Sequence, residues 1–140
     1  MILSLHHEVS ADDFTRAGEA SGQVKRKLKQ LGIDPEIVRR VSIALYEGEI
    51  NMVIHAGGGE IDTYVDENCI TMVLKDHGPG IVNVDKAMEA GFSTANENIR
   101  SLGFGAGMGL PNMKKYSDEM HIETKVNEGT TITMKIHFDK

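Results

Sequence analysis

The chain has 140 residues, of which 40% are hydrophobic, and this composition suits one domain with a single core rather than several domains. A net charge of -6 without a basic run argues against binding to nucleic acid or to an anionic membrane. The single cysteine excludes an internal disulfide framework and fits a cytoplasmic protein, and the first residues lack the charged and apolar segments of a secretion signal or membrane span.

The N-terminal half of the sequence predicts one strand and two helices. A strand is expected over residues 2–9, and Ser10–Asp13 fits the capping pattern at the start of a helix. Gly32 is expected to end this helix, whose apolar residues recur at helical spacing: Phe14, Ala17, Val24, Leu28 and Leu31. Asp34-Pro35 is typical of a helix start and predicts a second helix that runs to about Ala56.

The C-terminal half predicts two hairpins separated by a long loop and a helix. The expected elements are strands over 60–65 and 69–75 with Asn68 in their turn, a helix over 108–118, and strands over 119–126 and 130–138. Residues 76–107 have glycine motifs at both ends and are interpreted as a lid, since long irregular stretches in compact domains are usually functional. The order predicts a single α+β domain over residues 1–140, a two-layer α/β sandwich with helices on one face of a mixed, mostly antiparallel sheet.

Residues 103–115 read GFGAGMGLPNMKK, with glycine at four alternate positions. No register gives G-x-G-x-x-G after a strand, and no glycine precedes lysine as in a Walker A loop. The stretch does place free backbone amides directly before a helix start at about Met108, an arrangement that suits phosphate oxygens. A flexible loop is the alternative interpretation.

Residues 75–81 read KDHGPGI and follow the apolar strand TMVL. Asp76 stands just past the strand end, where a carboxylate accepts hydrogen bonds, for instance from an exocyclic amino group. Gly78 and Gly80 remove side chains where a flat ring would lie close to the backbone. An ordinary turn explains the same residues equally well.

Glu47, Asn51 and His55 are one turn apart on the second helix and form a polar ridge. The ridge borders an apolar stripe made of Ile37, Val38, Val41, Ala44, Leu45 and Met52. Glu49 is expected to face water. A carboxylate and an amide one turn apart could serve a hydrated Mg²⁺ and a proton transfer, although a solvated helix face is the simpler reading.

The order of these motifs along the chain resembles that of the Bergerat-fold (GHKL) ATP-binding family. The matching segments are Glu47–Asn51, Asp76–Ile81, Gly105–Leu110 and Gly129–Thr131. Within the family, the compact size and the two helices before the first motif resemble the anti-sigma-factor serine kinases and the stressosome switch kinase. The lysine-rich helix after the last glycines is especially similar to the switch kinase. The resemblance implies a Bergerat ATP-binding fold, with ATP and Mg²⁺ as cofactors.

The resemblance also implies roles for individual residues. Glu47 would be the general base that accepts the proton of a substrate serine, and Asn51 would hold Mg²⁺. Asp76 would bind the adenine amino group, with Thr130 near the adenine, and His55 would neighbour a phosphate or the metal. Arg100 is the candidate clamp for the γ-phosphate. The remaining nucleotide-binding positions are Gly78, Gly80, Ile81, Gly105, Gly107, Met108, Gly109 and Leu110.

The leading hypothesis is a cytoplasmic protein serine/threonine kinase that phosphorylates a STAS-type antagonist, with a sigma factor competing for the same surface. The alternative is an ATP-gated binding module that sequesters a regulator without transferring phosphate. A histidine kinase domain needs a phosphoacceptor histidine on a dimerising helix, and it is disfavoured because His6 and His7 fall in a predicted strand. Topoisomerase or mismatch-repair ATPases are disfavoured because they need further domains. The sequence does not choose between a monomer and a homodimer.

Overall fold

The structure is a computed structural model that describes residues 3–10, 16–55, 58–78 and 109–138. Within these ranges the chain forms five strands and three helices. In chain order they are β1 (Leu3–Ser10), α1 (Glu19–Gln30), α2 (Pro35–His55), β2 (Gly58–Val65), β3 (Cys69–Lys75), α3 (Gly109–Tyr116), β4 (Glu119–Lys125) and β5 (Gly129–His137). None of the described helices is both long and apolar enough to cross a membrane.

The strands form one sheet in the order β1-β2-β3-β5-β4, and all four described pairings are antiparallel. One face of the sheet is apolar and packs against the helices; its buried residues on the three central strands include Ile61, Val65, Ile70, Met72, Leu74, Ile132, Met134 and Ile136. These side chains alternate along each strand because successive residues point to opposite faces. The predicted two-layer α+β fold is confirmed.

Helix α2 lies across the centre of this apolar face. It begins as expected, because Asp34 Oδ1 accepts a hydrogen bond of 2.8 Å from the backbone N–H of Glu36 and Pro35 is the first helical residue. The six predicted stripe residues are all buried. A Cβ atom at Gly48 would overlap Leu74 Cδ2, so this glycine lets α2 approach β3 closely, at a cost of about 1 kcal/mol in helix propensity.

Helix α1 begins later than the sequence suggests. Its N-cap is Gly18, whose positive φ of 94° interrupts the helix, so the capping pattern at Ser10–Asp13 is not the start of α1. Residues 11–15, including Phe14, lie outside the described part of the chain. Val24 and Leu28 are buried as expected, whereas Leu31 caps the C-terminus and is 42% exposed. Gly32 ends the helix with a φ of 75°, as predicted.

The expectation that Glu49 faces water is wrong. Its side chain is only 2% exposed and accepts three backbone hydrogen bonds at the start of α1, two at Oε2 from Gly18 (3.0 Å) and Ala20 (3.2 Å), and one at Oε1 from Ser21 (2.9 Å). The first N–H groups of a helix have no partner within the helix, and a carboxylate also complements the helix dipole. Glu49 of α2 therefore caps α1.

Substitution of Glu49 by alanine is expected to lower the free energy of unfolding by about 1–3 kcal/mol, because two buried N–H groups and one partly buried N–H group lose their acceptor. Urea unfolding followed by circular dichroism measures this change. Glu36→Ala is the matched control, since that carboxylate is exposed on the same helix and should be dispensable for stability. Equal stability of the two variants would show that Glu49 does not hold α1 in place.

Candidate functional site

Asp76 directly follows β3 and lies between two glycines of the neighbouring strands. A Cβ atom at Gly59 on β2 would overlap the carbonyl oxygen of Lys75, and one at Gly129 on β5 would overlap the carbonyl oxygen of Asp76. Both glycines also have positive φ angles, 153° and 125°. The backbone N–H of Asp76 donates to Thr130 O over 2.9 Å. The C-terminal end of β3 at Asp76 therefore requires glycine on both neighbouring strands.

The Asp76 carboxyl group is 9% exposed and is held by backbone groups. Its Oδ1 accepts hydrogen bonds from the N–H of Gly78 at 2.9 Å and of Thr130 at 3.2 Å. Burial raises the pKa of Asp76 above its ordinary value, although these two bonds and nearby His77 oppose the shift. Both bonds use Oδ1, so among the described residues Oδ2 has no hydrogen-bond partner. A fixed acceptor of this kind suits a ligand amino group.

Thr130 is buried beside Asp76, although the two residues are far apart in the sequence. Its Oγ1 lies 2.8 Å from Oγ1 of Thr124 on the neighbouring strand β4, and this contact fixes the side chain. The structure thus brings together two residues to which the family resemblance assigned adenine recognition. Gly78 lies beside the same two residues, because its backbone N–H donates to Asp76 Oδ1.

Glu47 and Asn51 are both half-buried and lie one turn apart on α2, as predicted. Glu47 faces the first turns of α3. Its Oε1 lies 3.4 Å from Nδ2 of Asn112, and its Oε2 lies 3.9 Å from the place a Cβ atom would occupy at Gly109. Leu110 is buried under the same turn. The candidate base therefore lies beside the helix that directly follows the glycine-rich stretch.

Several predicted site residues lie outside the described part of the chain. The described part of the chain excludes Gly80, Ile81, Arg100, Gly105, Gly107 and Met108. His55 is the last residue of α2, and its side chain also lies outside the described part. The phosphate cradle, the lid and the γ-phosphate clamp therefore stay predictions from the sequence.

The oxygen-bearing side chains of Glu47 and Asn51 are of the type that Mg²⁺ prefers. Among the described residues, no group of three or more histidine, cysteine, aspartate or glutamate side chains could hold a metal ion. Magnesium commonly takes only one or two protein ligands and completes its shell with water and phosphate oxygens. The donors on α2 thus fit a magnesium ion that arrives with a nucleotide.

Sequence reasoning missed two residues of this site, Gly59 and Asn112. Gly59 belongs to a run of three glycines that follows the predicted end of the second helix at about Ala56, and in the structure it makes room for the backbone at Asp76. Asn112 contacts Glu47 across 65 positions of the chain, and no local pattern reveals such a contact. The glycine run could have indicated Gly59, whereas no feature of the sequence indicates the contact of Asn112 with Glu47.

Comparison with known proteins finds a matching family and several relatives. Residues 11–136 match the model of the histidine kinase-like ATPase domain family. An anti-sigma F factor of Geobacillus thermodenitrificans is 30% identical over 77% of this chain and 76% of its own length. The serine/threonine-protein kinase RsbT of Bacillus subtilis is 33% identical over 81% of this chain and 83% of its own length.

Two solved structures share the fold at low sequence identity. The RsbU and RsbW domains of a Mycobacterium tuberculosis protein give a TM-score of 0.65 at 16% identity, covering 96% of this chain and 32% of that one. The mycobacterial sensor histidine kinase MprB gives a TM-score of 0.54, also at 16% identity, and 97% of that chain is covered. The present chain spans about a third of the first protein, and both matches establish the fold alone.

Proposed function

The chain belongs to the histidine kinase-like ATPase domain family, and we propose that it is a partner-switching protein serine/threonine kinase that uses ATP with Mg²⁺. Its relatives among the anti-sigma F factors and RsbT support kinase activity and regulatory protein partners. The observation that carries the residue roles is the position of Glu47, which lies against the helix that follows the glycine-rich stretch. A base there would be next to the phosphates.

Asp76 and Thr130 are the proposed adenine contacts. The buried Asp76 carboxylate keeps Oδ1 on backbone N–H groups and offers Oδ2 to an exocyclic amino group. The backbone at Asp76 is closely packed between Gly59 and Gly129. A preformed acceptor of this kind discriminates strongly, since a ligand without the matching donor leaves the buried carboxylate unpaired.

Glu47 and Asn51 are the proposed catalytic pair. When MgATP is bound, it supplies the γ-phosphoryl group and a cation that neutralises developing charge. Glu47 accepts the proton of the partner's serine hydroxyl as the bond from serine oxygen to phosphorus forms and the bond to the β-phosphate oxygen breaks, releasing ADP. Asn51 would hold the cation through its side-chain oxygen.

The proposed protein substrate is a STAS-type antagonist, and a sigma factor is the proposed competitor for the same surface. A cytoplasmic location is part of this proposal because ATP and such regulators meet there. The names of the relatives support regulatory partners of this kind.

Incubation with MgATP and a STAS-domain protein encoded near this chain's gene tests the proposal. We expect one phosphoserine on the STAS protein by mass spectrometry, and none when a non-hydrolysable ATP analogue replaces ATP. Binding of ATP without phosphate on any candidate partner would instead favour the ATP-gated binding module.

A further inference from the structure

Asn112 on α3 makes a side-chain contact with the proposed base. Its Nδ2 lies 3.4 Å from Oε1 of Glu47, and both side chains are half-buried. Only the amide nitrogen can donate to a carboxylate, so the donor orientation is fixed by chemistry. The distance is at the long end for a hydrogen bond, as contacts of catalytic groups often are before substrate binds.

The helix that carries Asn112 is firmly seated. Leu110 and Met113 are buried in the core on the same short helix. The Met113 methyl group would lie 3.1 Å from a Cβ atom at Gly48, the residue next to Glu47, so α3 packs against α2 at the level of the base. With its neighbour Met113 anchored there, the backbone of Asn112 has little freedom relative to Glu47.

We propose that Asn112 is a positioning residue for Glu47, holding the carboxylate by one oxygen so that the other points toward the substrate hydroxyl. This role rests on the proposed function of Glu47 as the base. Gly109 supports it, because the absence of a side chain there leaves the space beside Oε2 open. Orientation of a catalytic group matters because small displacements lower the rate without affecting substrate binding.

Three substitutions test the role of Asn112, with phosphate transfer to the STAS protein measured in a single turnover at saturating ATP. Asn112→Ala is expected to lower the rate about tenfold, which is the loss of a hydrogen bond to a charged group. Asn112→Asp should lower it further because two carboxylates repel each other. Asn112→Gln retains the amide donor and should keep more activity than Asn112→Ala. Lys114→Ala, an exposed change on α3, is the control.

The affinity for ATP separates a positioning role of Asn112 from a role in stability alone. In all three variants the dissociation constant for ATP should stay within about twofold of wild type. Equal rates for Asn112→Ala and Asn112→Gln, or loss of ATP binding together with the rate, would overturn the positioning role. Failure of the wild type to transfer phosphate overturns the proposed function itself. Wild-type rates in the Asn112 variants, with transfer lost in Glu47→Ala, overturn only the role of Asn112.

Discussion

Replacement of Glu47 by alanine is expected to slow phosphate transfer to the partner by about 10²-fold to 10⁴-fold, the usual contribution of a general base. ATP binding should persist, because the proposed adenine contact, Asp76, lies after β3 and is held by backbone N–H groups of Gly78 and Thr130. Single-turnover transfer of labelled phosphate measures the rate, and titration calorimetry measures the affinity for ATP.

Glu36→Ala is the matched control for this experiment. Its carboxylate is exposed in the first turn of the same helix and pairs with Arg39 at 2.8 Å, so its removal should leave both transfer and ATP affinity unchanged. Transfer at the wild-type rate in Glu47→Ala would mean that another group is the base. If the wild type and the variant both bind ATP and partner but transfer nothing, the protein is an ATP-gated binding module.

The error over Glu49 shows where a local pattern is insufficient. The stripe recognised in the sequence covers one side of α2, with Glu49 just beyond its edge. Ile50 and Val53 are also buried, and they extend the buried arc so that Glu49 falls inside it. The sequence contains the apolar residues of this wider arc. It does not show that α1 covers that side of α2, which is the reason that the side is buried. The N–H groups that satisfy the carboxylate lie about 30 residues upstream.

Elements with strong local signals were predicted well, whereas the site depends on pairing across the sheet. The start of α2 at Asp34-Pro35 and the strand over 69–75 follow from capping and from apolar alternation. By contrast, the contact between Asp76 and Thr130 exists because β3 pairs with β5. The sequence placed these two residues at one adenine site through resemblance alone, and no spacing rule gives that register.

Asp76→Asn is expected to weaken ATP binding by about 10-fold to 150-fold, the loss of a hydrogen bond to a charged acceptor. The substitution preserves size and removes a buried charge, so the fold should be retained. Asp62→Asn on β2 is the control, because that carboxylate lies on the other face of the sheet and pairs with His6. Calorimetric titration with MgATP gives the affinities, and an unchanged affinity in Asp76→Asn would remove Asp76 from the adenine site.

The pH dependence of stability and of ATP affinity, compared between the wild type and Asp76→Asn, gives an independent test. Burial raises the pKa of Asp76 above its ordinary value of 3.8, so the folded protein holds this proton more tightly than the unfolded chain. Its contribution to the free energy of unfolding is present below pH 3.8 and is lost as the pH rises through the folded-state pKa. Affinity for ATP should change in the opposite direction, falling as the pH drops through that pKa and the acceptor is protonated. Asp76→Asn should lack both effects, and since titration of the nucleotide phosphates is common to both proteins, superimposable affinity profiles would contradict the assignment.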